Sequence, residues 1–177
     1  AIGAFGIVNR LVFIVVMIVM GLNQGMQPIA GYNFGAKLYG RVNKVLKLTI
    51  IYATAVTTFG FLVGMLVPDL VVGIFTSDAE LTELSVTGLR ITVMFFPIIG
   101  FQMVTSNFFQ SIGMAGKAIF LSLTRQMLIL LPCLLILPQF FGVAGVWYSM
   151  PVSDLLASLI ALVMLVCQFR KFRTSPL

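Results

Sequence analysis

Seven residues near the start of the chain recur at helical spacing and share a chemistry that is unusual in so apolar a sequence. Asn9, Phe13, Met17, Met20, Gln24, Gln27 and Gly31 follow one another in steps of four, four, three, four, three and four. Those steps put them on one face of an α-helix. The amides donate and accept hydrogen bonds, while the ring and the flexible thioethers adapt to apolar partners of different shape. Such a face suits reversible, non-covalent recognition, or else close packing with the amides bonded between helices. Much of the remaining surface (Val12, Ile14, Val15, Ile18, Val19) is β-branched aliphatic, suited to lipid or close packing, and Val19 is expected on the lipid side. A second stripe, Phe95, Ile99, Gln102, Ser106 and Phe109, offers a partner face.

Covalent chemistry finds no support. The chain has no His, and its acids lie mostly in one loop. Neither metal-ligand spacing, nor a nucleophile–base pairing, nor a phosphate loop is visible. No enzyme activity, catalytic residue, metal site or cofactor is therefore expected. Cys133 and Cys167 lie in apolar runs and are read as small core or lipid-facing residues. Asp154 stands about ten residues into an apolar run, where an ionised carboxylate is costly unless paired or wet. One reading makes it an ion- or proton-linked group; the other makes it a packing acid bonded to a neighbouring helix, to Ser153 or to an arginine. Arg125 and Arg90 can each snorkel to a headgroup region, and pairing of Arg125 with Asp154 is the sharper alternative.

The elements that must position these residues are membrane helices. Apolar residues make up 60% of the chain and charged residues 9%, with a mean hydropathy of +1.11. A soluble domain carries roughly a quarter charged residues. Leu11–Met20, Thr49–Val67 and Ala157–Val166 lie within stretches near the ~18–20 apolar residues that cross a bilayer. Strand-like alternation is absent, so the expected fold is all-α, a polytopic bundle of about five transmembrane helices. They are placed at 5–32, 45–67, 84–112, 119–137 and 143–169. Pro28, Pro97, Pro132 and Pro151 fall inside helices and can kink them. Gly21-x-x-x-Gly25 and Gly60-x-x-x-Gly64 permit close helix approach.

The net charge of +6 sits in clusters between the spans. Membrane orientation explains these clusters better than a nucleic-acid partner does. Lys37, Arg41, Lys44 and Lys47 follow the first span; Lys117 lies between the third and fourth; Arg170, Lys171 and Arg173 end the last. Asp69, Asp78, Glu80 and Glu83 occupy the connection between the second and third. With alternating spans every basic segment falls on one side, which is then cytoplasmic. The N-terminus is expected outside and the C-terminus inside. A first residue Ala, close to a helix, leads us to expect a piece of a longer protein.

The first span ends in Gly21-Leu22-Asn23-Gln24-Gly25-Met26-Gln27-Pro28-Ile29-Ala30-Gly31-Tyr32-Asn33-Phe34-Gly35-Ala36-Lys37, followed by Arg41-Val42. This string resembles the eighth-helix motif of the multidrug and toxic compound extrusion family. Asn107-Phe108-Phe109-Gln110-Ser111-Ile112-Gly113 with Lys117 resembles the end of that family's tenth helix, and Gly142 to Asp154 the start of its twelfth. The resemblance covers essentially the whole chain. It implies that residues 1–177 are part of the C-terminal six-helix lobe, helices eight to twelve of twelve.

The resemblance further implies two lobes around a cavity, rocking to give alternating access, with Na⁺ or H⁺ entry coupled to export of amphipathic, often cationic, organic compounds. It places the eighth and tenth helices beside that cavity, so the two stripes become cavity candidates: Asn9, Phe13, Met17, Met20, Gln24 and Gln27, with Phe95, Gln102, Ser106 and Phe109. The implied partners are membrane lipid, the N-terminal lobe and the exported compounds, in a multi-pass protein of a bacterial cell membrane. One departure matters: some branches of the family carry acidic cation ligands in the tenth helix, but no Asp or Glu lies between Leu84 and Ile112. The coupling carboxylate is therefore expected in the N-terminal lobe. Two other readings stay open, a lipid-linked oligosaccharide flippase of the same superfamily and a membrane assembly subunit without transport.

Overall fold

The computed structural model describes residues 2–174, with side chains as far as Phe172, so the side chain of Arg173 lies outside the described residues. It is an all-α bundle. Helix α1 (Ile2–Gly35) leads through a tight turn into α2 (Tyr39–Leu66), and a short helix α3 (Pro68–Gly73) follows. Then come α4 (Ala79–Val93), α5 (Phe96–Ser111) and α6 (Ala115–Leu123). A π-helical segment (Thr124–Leu130) joins α6 to α7 (Leu131–Phe141), and α8 (Val143–Thr174) closes the chain. Among the described residues four helical stretches are long and apolar enough to cross a membrane, or five with α4–α5 counted as one broken span. The protein is thus a multi-pass membrane bundle.

The helices run longer than sequence boundaries suggest. At ~1.5 Å per residue, the 34 residues of α1 extend about 51 Å, well beyond a hydrocarbon core of ~30 Å. Only some prolines disturb the helical ladder. Pro97 has no N–H, and its ring would strike the carbonyl of Val93 in a continuous helix. The helix breaks there, with a 54° bend between α4 and α5 in place of one span over 84–112. Ahead of Pro132 the ladder widens instead: the amide of Leu131 donates to the carbonyl of Gln126, a five-residue step. Pro28 and Pro151 lie within uninterrupted helix.

Helix α5 is the centre, packed against α1, α2 and α8. One core cluster unites Val19, Met26, Leu46, Phe108, Phe109 and Leu165. A second unites Val8, Val72, Val93, Phe96 and Trp147. Val19, expected on the lipid side, is fully buried. Its face of α1 (Val8, Val19, Asn23, Met26, Ala30) is the packed one, although its residue types resemble the rest of the helix. Gly60 and Gly64 do admit close neighbours: a Cβ on either would meet Val15 or Val93 at 3.0 Å. Gly21 and Gly25 meet nothing within 4 Å, so the close approach expected there is absent among the described residues. Gly88 is required, because a Cβ there would stand 2.5 Å from the indole of Trp147.

The bundle has two chemically distinct ends. At one, Phe34, Tyr39 and Phe172 form an aromatic cluster joining the α1–α2 turn to the end of α8, with Tyr39 and Phe172 stacked at 5.0 Å. Lys117 joins them, donating to Gln168 and lying over the Phe109 ring. The basic segments therefore gather at this end. At the other, Phe5 lies 5.6 Å from Trp147, beside the acidic connection into α4. There Asp78 caps α4, accepting from the amides of Glu80 and Leu81 at 3.0 and 3.1 Å.

Candidate functional site

An ion pair lies inside the bundle where apolar helices pack. Arg125 Nε donates to Asp154 Oδ1 at 2.8 Å. The Asp154 side chain is only 7% exposed, whereas that of Arg125 is 36% exposed, so one partner depends wholly on the other. Arg125 sits in the π-helical segment, whose extra residue per turn re-aims the side chains that follow. One further bond ties the segment to α8, with Ser153 Oγ donating to the Arg125 carbonyl at 3.1 Å, while Ser158 Oγ donates back to the Asp154 carbonyl within α8 at 2.6 Å. The sharper of the two readings of Arg125 is the one observed.

Small cavities flank the pair, with Arg125 in the wall of both. One, of about 160 Å³, is bordered by Asn9, Thr92, Ile99, Arg125, Ser153 and Asp154. The other, of about 210 Å³, is bordered by Gln102, Met103, Ser106, Asn107, Ser122, Arg125 and Gln126. In the second, Ser106 and Ser122 hydroxyls stand 3.5 Å apart, and Gln27 Nε2 donates to Asn107 Oδ1 at 3.1 Å. Asn107 in turn donates to the Met103 carbonyl at 2.9 Å. Gln102 Oε1 and Thr124 Oγ1 are buried without a protein partner. An apolar cleft of about 220 Å³ between α1, α2 and α4, bordered by Leu11, Val56, Gly60 and Val93, offers hydrocarbon only.

The stripe residues divide between surface and interior. On α1, Asn9, Phe13, Met17, Met20 and Gln24 are exposed, and Gln27 is half-buried through its bond to Asn107. On α4–α5, Phe95 and Ser106 are half-buried, while Gln102 is buried and Phe109 is fully buried against Phe108. The structure thus joins Gln27, Gln102 and Ser106 to one polar cavity, adds Asn9 to the neighbouring one, and leaves Phe13, Met17 and Met20 on an open face. Sequence reasoning missed Asn107, Ser122 and Gln126. Ser122, Arg125 and Gln126 stand at helical steps on an otherwise apolar helix, a signal available in one dimension. Among the described residues no group of three or more His, Cys, Asp or Glu side chains is placed to hold a metal ion.

Comparison with known proteins is consistent with this architecture. A family model described as MatE matches residues 1–136. The multidrug export protein MepA of Staphylococcus aureus (strain MSSA476) is 29% identical over 162 residues, covering 92% of this chain and 36% of the relative. MepA of Staphylococcus saprophyticus is 24% identical over the same length. The chain therefore spans about a third of the length of these curated relatives. Among solved structures, the MATE multidrug transporter DinF-BH in complex with R6G superposes with a TM-score of 0.87 at 37% identity, covering 97% of this chain and 38% of that one. The Vibrio cholerae MATE transporter VcmN in the bent form superposes with a TM-score of 0.86 at 20% identity, covering 96% of this chain and 39% of that one, which bears on fold alone.

Proposed function

This chain belongs to the MatE family of multidrug and toxic compound extrusion transporters, and from that membership we propose that it forms one wall of a drug-exporting cavity. The family is one of membrane carriers, so the chain is read as part of a carrier and not of an enzyme. In this reading residues 1–177 correspond to helices eight to twelve, most of a C-terminal lobe, and an N-terminal lobe supplies the opposing wall. The lobes rock to expose the cavity alternately to each side. Amphipathic organic compounds leave as Na⁺ or H⁺ enters, and the coupling carboxylate belongs to the other lobe.

The observation that carries the reading is the open face of α1. Asn9 and Gln24 are exposed there beside Phe13, Met17 and Met20, in a helix apolar enough to span the bilayer. Side-chain amides are costly against hydrocarbon tails and turn towards protein or water. An outward face that mixes amides with thioethers and a ring therefore meets an aqueous cavity rather than lipid. Methionines supply the adaptability that a many-substrate surface requires.

The orientation follows from charge. The end that gathers Lys37, Arg41, Lys44, Lys47 and Lys117 is cytoplasmic, which places the N-terminus outside and the C-terminus inside. Asp154, tied to Arg125, acts here as a packing acid and not as the coupling group.

Drug profiles of the complete transporter test the cavity. Met20→Ala and Gln24→Ala change resistance unevenly across drugs while expression holds. Leu135→Ala, an exposed residue off the stripe, changes little. Equal profiles for all three variants would remove the cavity assignment.

A further inference from the structure

The Asp154 pair uses one of the five N–H donors of Arg125. The guanidinium is a third exposed and borders the cavity of about 210 Å³, where no acidic side chain joins it. Its companions in that wall are the Ser106 and Ser122 hydroxyls and the amides of Gln102, Asn107 and Gln126. The cavity thus offers a cationic fork and hydroxyl donors for an oxyanion.

Size and charge narrow the ligand. A whole drug-sized molecule needs roughly 300–1,000 Å³, so a cavity of about 210 Å³ takes a substituent. Planar forked donors match a carboxylate well. Arg125 and Asp154 already cancel, so a carboxylate alone would leave a net negative charge in a low-dielectric interior, a costly arrangement. A compound that brings its own cation leaves the site neutral. The remainder of the molecule has a surface to lie on, because Gln27 of the α1 stripe bonds Asn107 at the cavity rim.

We propose that this cavity, between α5 and the Arg125 segment, is a subsite for the carboxylate of a zwitterionic amphipathic substrate. The inference rests on the export reading above and adds to it the place where one substituent of the substrate is held. The probes are two xanthene dyes that share a cationic ring system, one with a free carboxylic acid and one with that acid as its ethyl ester. Export of each is measured in cells carrying the complete transporter. The double variant Arg125→Gln/Asp154→Asn removes both charges together and leaves no orphan. It lowers the acid-to-ester export ratio about tenfold, the value of one charge-assisted hydrogen bond. Ser106→Ala/Ser122→Ala, which leaves the ion pair intact, lowers the ratio in the same direction by less, and it decides the matter alone if the double variant fails to accumulate. An unchanged ratio in the variants overturns the subsite. Wild-type export of the ester but not the acid overturns the subsite and leaves the export reading standing. Export of neither dye overturns the export reading, and the subsite with it.

Discussion

Removing either partner of the Arg125–Asp154 pair should have very different costs. The Asp154 side chain is 7% exposed and that of Arg125 36%. Arg125→Ala leaves a buried carboxylate with its charge uncompensated, which in folded proteins costs about 3–5 kcal/mol. Asp154→Ala leaves a guanidinium already one-third in contact with the surroundings, at the edge of a polar cavity, where water replaces the lost oxygen. The guanidinium keeps that contact, so this variant loses less than Arg125→Ala does. The double variant Arg125→Gln/Asp154→Asn carries no charge and loses only the end of the Arg125 side chain, so it falls between them. Thermal unfolding of purified protein in detergent, followed by size-exclusion chromatography, ranks the three: Arg125→Ala lowest, the double variant intermediate, Asp154→Ala nearest wild type. Equal midpoints for the two alanine variants, or a double variant no more stable than Arg125→Ala, would refute the argument that burial of one partner sets the cost.

Other perturbations test the packing and the orientation. Gly88→Ala drives a Cβ to 2.5 Å from the Trp147 ring, which is itself held by Phe5, and overpacking of this kind costs about 1–3 kcal/mol. The same midpoint measurement should show that loss, and adding Trp147→Phe, which shortens the ring system, should recover part of it. For orientation, Cys133 and Cys167 are first replaced by Ala. Lys44→Cys should then resist an impermeant thiol reagent in intact cells while Ser77→Cys reacts, and the opposite pattern would reverse the charge-based topology.

Much of the architecture was legible in one dimension, and the exceptions share a cause. The spans, their connections and the basic and acidic ends follow from apolar length and charge placement, properties of contiguous residues. Pro97 marked a disturbance but not its form, since a proline bends, breaks or leaves a helix straight according to how neighbours satisfy the freed carbonyls. Pro28 and Pro151 sit in continuous helix, while Pro97 divides α4 from α5. The ion pair was one of two open readings because its members are 29 positions apart, and only the packing of α8 on the π-helical segment brings them together. Asn107 was overlooked because its bond to Gln27 crosses 80 positions.

By itself, the sequence determined that this is a membrane bundle, which stretches form its spans, which ends carry charge, and which family string closes the first span. Only tertiary structure decided which side of each helix faces inward. In a soluble protein hydropathy separates core from surface, because water rejects the apolar face. In lipid both faces are apolar, and helices associate through shape and local hydrogen bonds. Val19 and Ile18 are adjacent and chemically alike, yet one is fully buried and the other half exposed. Asn23 is buried while Gln24 beside it is open. Composition cannot distinguish such neighbours. Packing against α2, α4 and α5 does, and it thereby decides which amides stay on the open face and which lie inside the bundle.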